Sequence, residues 1–385
     1  MRRMNPHIQN EQGMTLIELM VSALIGVIVI VAAFMALTTA QKSTTANSMA
    51  AETQQNVRVA MDLLAEDIKK AGFGANGIVG NCNVVVGATT QVAPIVPRDQ
   101  AEGANDTGPD SVSMIVPLTG SSPSWTLLNA TAVGFNQVVL QAGAGAAMTA
   151  AGLTTGANNN NLISIGGLVS VRVTGVAGDT LTLASTVAAP AQFQPDTPVY
   201  VLQCVTYQVI QAPDANNVCG GTAPCLVRGV ANATVAAAGG RLVPNCDVAA
   251  PSPCIPVVDG IEDLQVAYVC DGCNAGVNSG APNGIIDDQG TIDNVFNDAD
   301  WISNNAWNTD PLLPNRIRLV KVGLVARQTQ QDQGTGETMK SGQMSPGAVN
   351  VSMNNDHVMA IAGTETGFRR RTLIRTVETR NVGLF

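Results

Sequence analysis

The sequence predicts an α+β protein: one long N-terminal α-helix, transmembrane in its first half and amphipathic in its second, packed on a large, mainly antiparallel β-rich exported domain. Three observations predict it. Leu19 to Leu37 runs nineteen residues without a charge, long enough to span a hydrocarbon core as a helix. Val57, Ala60, Met61, Leu64, Ala65 and Ile68 then recur at three- and four-residue steps, with Asp62, Glu66, Asp67 and Lys69 on other faces, which marks an amphipathic continuation. Beyond Gly74, short runs rich in Val, Ile, Leu and Thr alternate with Gly, Pro, Asn and Asp clusters, the pattern of strands and turns.

Residues 1–13 carry Arg2 and Arg3, which with the α-amino group keep the start cytoplasmic and direct the chain beyond the apolar run across the membrane. An ordinary secretory signal is cut after its apolar run. Here the candidate junction, Gly13–Met14, lies before it, in the stretch Glu11-Gln12-Gly13-Met14-Thr15-Leu16-Ile17-Glu18. This stretch resembles the prepilin signal of type IV pilins and type II secretion pseudopilins. The resemblance implies that a prepilin peptidase cleaves between Gly13 and Met14, that Met14 becomes N-methylated, and that the apolar helix stays in the product. Glu18 is a carboxylate at the edge of hydrocarbon, a costly position that is usually held for a partner. The resemblance implies an assembly role, in which Glu18 pairs with the N-terminal amine of a neighbouring subunit so that each charge offsets the other's desolvation. Taken by itself, Glu18 snorkels to the headgroups.

The helix is expected over 14–71, with the transmembrane segment at 19–37 and a length of roughly 85 Å. No proline falls between Pro6 and Pro94, so nothing interrupts it. Many major pilins have a proline midway along this helix; the matching place here holds Met35, and Gly26 is the one soft point. Glu66 and Lys70 are spaced for an i,i+4 pair, and Gly72 and Gly74 stop the helix.

Residues 75–385 form the β-rich domain. Strands are expected at Ser111–Val116, Val133–Gln141, Leu162–Val173, Thr180–Thr186, Pro198–Ile210, Leu264–Val269, Ile317–Ala326 and Thr372–Val377. Ala142–Asn161 is low in complexity and reads as an exposed loop or an insertion.

Six blocks carry a second resemblance. They are Leu64-Ala65-Glu66-Asp67-Ile68-Lys69-Lys70-Ala71-Gly72, Val205-Thr206-Tyr207-Gln208-Val209 with Cys225-Leu226-Val227-Arg228-Gly229, Val257 to Tyr268, Arg316 to Arg327, and Arg369 to Val377. In this order they resemble the PilW family of minor type IV pilins. The resemblance implies a structural subunit that helps to initiate or assemble a type IV pilus. Its implied partners are other major and minor pilins, the prepilin peptidase, the inner-membrane assembly platform, and membrane lipid before assembly. The implied location is a single-pass inner-membrane protein, N-terminus cytoplasmic and C-terminal domain periplasmic, later incorporated in the pilus. A J-type minor pseudopilin of type II secretion is a close variant. A pilus-tip adhesin or DNA-uptake subunit, using residues 75–200 or the Arg369–Arg380 strip, is a different class. The plain reading of that strip is the solvated side of a strand.

All eight cysteines, Cys82, Cys204, Cys219, Cys225, Cys246, Cys254, Cys270 and Cys273, lie beyond the apolar segment, which reads as disulfides in an oxidising compartment. Of the 105 connectivities that eight cysteines allow, short intervals suggest Cys219 with Cys225 and Cys246 with Cys254, and Cys82 with Cys204 is one further pairing among those left open. Cys270-Asp271-Gly272-Cys273 is read first as a structural disulfide, then as a redox pair, then as half a zinc site. Many PilW-like sequences carry a calcium-loop-like insertion at the place of Asn283, Asp287 and Asp288. Oxygen ligands beside a turn-forming glycine suit calcium, and an Asn-Gly hairpin turn is the plainer reading. No other cofactor is expected.

Enzyme chemistry is not expected either. His7 and His357 are the only histidines; loss of His7 with the leader leaves His357 alone, which disfavours a histidine-based triad or general base. Gly334–Ser341 resembles a phosphate loop, but Met339 stands where the glycine before the lysine is required. A net charge of −9 and 3 % aromatic residues disfavour nucleic acid as a partner.

Overall fold

The computed structural model describes residues 14–74, 83–86, 89–92, 94–98, 109–118, 125–155, 162–187, 192–211, 217–220, 223–230, 254–271, 286, 296–297, 300–302, 317–330, 347–350, 358–361 and 368–380. Helix α1 runs unbroken from Leu16 to Lys70, about 82 Å at the standard rise. The expected stop holds. Gly72 and Gly74 both have positive φ, and Gly72 N–H leaves the helix to bond Ile115 C=O at 3.0 Å. Glu66 and Lys70 make the expected ion pair, and Lys70 holds the Glu66 carboxyl below its ordinary pKa.

Strands β1 (Asn83–Val86) and β2 (Thr89–Val92) form a hairpin. A nine-stranded antiparallel sheet follows, built from β3 (Ile95–Arg98), β4 (Ser111–Pro117), β5 (Gln137–Val139), β6 (Leu162–Ile165), β7 (Val169–Ala177), β8 (Thr180–Leu183), β9 (Val199–Ile210), β10 (Cys225–Val230) and β11 (Cys254–Asp259). β9 is its spine. One edge of β9 takes β4 from Leu202 to Gln208. The other takes β6 over Val199–Leu202 and β10 over Val205–Ile210, so two arms of sheet diverge from one strand.

A second, three-stranded sheet has the order β12 (Ile261–Cys270), β13 (Ile317–Arg327) and β16 (Arg370–Glu378). Between the last two lies the hairpin of β14 (Gly347–Asn350) and β15 (Val358–Ile361). The chain passes between the two larger sheets at Gly260. Its N–H donates to Pro224 C=O beside β10, and its C=O accepts from Arg327 N–H at the end of β13, both at 2.7 Å. With φ +79° and an added Cβ only 2.6 Å from Arg327 O, this turn requires glycine.

Two cores result. The first joins α1 to both sheets: Val57, Ala60, Met61, Leu64, Ala65 and Ile68 pack with Val112, Met114, Tyr207, Leu226, Leu264, Tyr268, Val320 and Leu324. The stripe read from the periodicity is this buried face. The second core lies within residues 125–201 and includes Trp125, Phe135, Leu140, Met148, Leu181 and Phe193.

That region corrects three sequence expectations. Ala142–Asn161 is not simply an exposed loop, because Ala144–Ala150 forms helix α2 with Met148 fully buried. Asp179 fixes its start by accepting from Gly143 and Gly145 N–H at 3.1 and 3.0 Å. The strand expected at Leu162–Val173 is a hairpin, turned at Gly166–Gly167 between β6 and β7. Only Gln137–Val139 of Val133–Gln141 is strand.

Candidate assembly site

Helix α1 begins with a capping box that the sequence reading overlooked. Thr15, in extended conformation, is the N-cap, and its Oγ1 accepts from Glu18 N–H at 3.3 Å. Glu18 Oε2 in return accepts from Thr15 N–H at 3.0 Å and lies 3.1 Å from Thr15 Oγ1. The signal was present as Thr-x-x-Glu directly before an apolar run. Glu18 is thus held toward the helix start by its own chain, and the N-terminal dipole favours its negative charge there. Met14, on the C-terminal side of the expected cleavage, is exposed. Gly13 and the rest of residues 1–13 lie outside the described residues.

Above this cap the helix is bare. Leu16, Ile17, Leu19, Leu24, Ile28, Phe34 and Leu37 are each more than half exposed, and this is the one helix among the described residues long and apolar enough to cross a membrane. Its hydroxyls are satisfied internally: Ser22 Oγ donates to Leu19 C=O at 3.0 Å and Thr39 Oγ1 to Met35 C=O at 2.8 Å. Such back-bonding pairs these hydroxyls within the helix rather than leaving them bare toward lipid.

The last turns of α1 are fastened to the β-domain by charge as well as packing. Asp67 Oδ2 accepts from Tyr207 Oη at 2.7 Å and from Arg228 Nε at 3.0 Å. Burial, with the Asp67 carboxylate next to it, pushes the Tyr207 phenol well above its ordinary pKa. Three of the sequence blocks, on α1, β9 and β10, meet at this point. Farther along, Arg375 of β16 pairs with Asp62 at 2.7 Å on the surface. Phe73 packs edge-on against Tyr200 at 5.2 Å between ring centroids, and an added Cβ on Gly74 would sit 2.1 Å from Ser164 Oγ.

The remaining blocks meet in a second buried network. Glu262 accepts from Arg370 through Nε at 2.6 Å and Nη2 at 2.8 Å, and Arg327 Nη1 approaches it at 3.6 Å. The Arg369–Arg380 strip is therefore not uniformly the solvated side of a strand. Arg370 is inside, as an ion-pair partner, while Arg371, Arg375 and Arg380 are exposed.

Cys219 and Cys225 form the expected disulfide, with Cα atoms 5.8 Å apart. Cys204, Cys254 and Cys270 are also disulfide-bonded; Cys82, Cys246 and Cys273, named in the expected pairings, lie outside the described residues, as do Asn283, Asp287 and Asp288. Among the described residues, no group of three or more His, Cys, Asp and Glu side chains is placed to hold a metal ion.

Comparison with known proteins matches both ends of the chain. Residues 220–381 match the family described as type IV pilus-assembly protein W, and residues 8–34 match the prokaryotic N-terminal methylation motif. No curated protein matches significantly. Among solved structures, a type IV-like pilin from Thermus thermophilus aligns over 86 % of this chain and 96 % of its own, at 12 % identity and a TM-score of 0.32.

Proposed function

We propose that this chain, a minor type IV pilin by its prepilin-type N-terminus and its PilW-type C-terminal region, is processed and then assembled through its apolar helix. A prepilin peptidase cuts between Gly13 and Met14 and Met14 is N-methylated. The chain waits in the inner membrane, N-terminus cytoplasmic and β-domain periplasmic, held by residues 19–37. The assembly platform then draws the helix out of lipid and into a fibre, where helices of neighbouring pilins replace the acyl chains. Its role is structural, in the initiation or assembly of the pilus, and not catalytic.

The observation that carries this is the bare apolar helix with a single acid at its tip. In lipid the exposed side chains of α1 are solvated by acyl chains; in a fibre they need other helices. Glu18 is the one group in that segment able to meet an incoming ammonium. Pairing with a neighbour's N-terminus costs little local order, because the capping contacts run through Oε2 and leave the second carboxylate oxygen to receive it.

Mass spectrometry of the mature N-terminus should find a methylated chain beginning at Met14, and an unmethylated chain beginning at Met1 would contradict the scheme. Glu18→Gln should leave processing intact while the subunit fails to enter fibres. Normal incorporation of that variant would remove the assembly role of Glu18.

A further inference from the structure

Edges of the two larger sheets are guarded, with one exception. Edge strand β11 contains Pro256 and pairs with β10 through a bulge after Leu226. β3 contains Pro97, and β5 is three residues long. The outer edge of β12 is covered where Asp110 bonds Leu264 C=O and Val266 N–H, each at 2.7 Å, and where Ile302 bridges Tyr268. Prolines, bulges, short strands, covers and charged side chains are the devices that keep edges from recruiting another strand.

Among the described residues, β16 has only the last of these, its charges. It pairs with β13 without irregularity over all nine residues. The bonds Gln328 N–H to Arg369 C=O and Thr379 N–H to Arg318 C=O fix which residues face β13. By the antiparallel alternation, the N–H and C=O groups of Thr372, Ile374, Thr376 and Glu378 point to the other side. All four residues are exposed, and among the described residues no strand pairs there.

The surroundings of the edge specify its occupant. Exposed Arg371 and Arg375 stand on the strand face turned toward α1, where Arg375 meets Asp62. Val59 and Leu63, on the same side of the helix as Asp62, are 42 % and 40 % exposed. A second copy of β16 would bring arginines beside arginines, which is unfavourable for facing strands. We propose that the outer edge of β16 takes up an extended acidic segment of a different subunit of the fibre. That segment adds a strand to the sheet, turns carboxylates toward Arg371 and Arg375, and covers Val59 and Leu63 with apolar side chains. The partner's identity as a fibre subunit rests on the function proposed above; the recruiting edge does not.

The test uses the full chain in detergent, amide hydrogen exchange, and two nonapeptides with Thr at even positions and, at odd positions, Val alternating with Glu in one and with Lys in the other. At about 1 mM, the Glu peptide should slow exchange at residues 372, 374, 376 and 378 and the Lys peptide should not. Ile374→Pro should abolish this protection while β12 and β13 exchange as before, since that N–H bonds nothing in the sheet. Arg371→Glu should turn the preference toward the Lys peptide. Equal effects of both peptides, or protection that survives Ile374→Pro, would overturn the edge site. In fibre-producing cells, a photo-crosslinker at Thr376 should capture an extended acidic segment of another pilin. Adducts only with copies of this chain, or none in fibres that contain it, would overturn the heterologous partner. Failure of Met14 processing, measured separately, strikes the fibre reading alone.

Discussion

Asp67 shows how much one residue can carry. Its carboxylate receives both the Tyr207 hydroxyl and the Arg228 guanidinium, so Asp67→Ala strands a partly buried cation and should cost roughly 2–3 kcal/mol. Tyr207→Phe removes one hydrogen bond to a charged acceptor and should cost about 1.5 kcal/mol. Denaturant unfolding of the detergent-solubilised chain measures both, and a double-mutant cycle should show their coupling. The same phenol predicts a pH dependence. Its folded-state pKa is raised, so its contribution is complete below the roughly pH 10 of a free phenol and is lost as pH rises beyond it. Wild-type chain should therefore lose stability in alkali more steeply than Tyr207→Phe, followed by phenolate absorbance. In the sequence Asp67 stands as one polar residue beside an apolar stripe. Its partners are 140 and 161 residues away, and no local pattern announces that meeting. Glu18 is the opposite case, because both halves of its capping box lie within four residues.

At the scale of elements, the helix was the most legible part. Nineteen uncharged residues, a stripe at helical spacing and two terminal glycines bounded it to within two residues of Leu16–Lys70, since each signal is local. Thr15→Ala should weaken its first turn by about 1 kcal/mol, read as faster amide exchange at residues 15–19. Gly74→Ala should cost more, above roughly 2 kcal/mol, because a positive φ and a Cβ contact with Ser164 act together. The strands of the PilW-like blocks were legible for the same reason as the helix. Helix α2 was not. Seven residues, four of them alanine around one methionine, favour helix but are too few to hold one alone, and the turn that starts them is held by Asp179, 34 and 36 residues on.

Seen as a whole molecule, the described residues gather most of their apolar burial in two large centres. One joins α1 to both sheets and contains the PilW-like blocks; the other closes on itself within residues 125–201. Composition could not reveal this, because strands of both centres are built from the same residue types and β9 serves both. Met148→Ala, which empties a fully buried site, should cost roughly 2–4 kcal/mol, and the loss should stay local. Hydrogen exchange should accelerate at β5 to β8 and α2 while β12, β13 and β16 keep their rates; a uniform rise across the chain would show that the two centres unfold together.

Gly260 is the covalent joint between the layers, N–H toward one and C=O toward the other, and it acts beside the Asp110 bonds to Leu264 and Val266 and the core that both layers share with α1. Adding even a methyl group there drives a wedge against the Arg327 carbonyl. A load on either sheet therefore passes to the other through that weld as well as through the shared core.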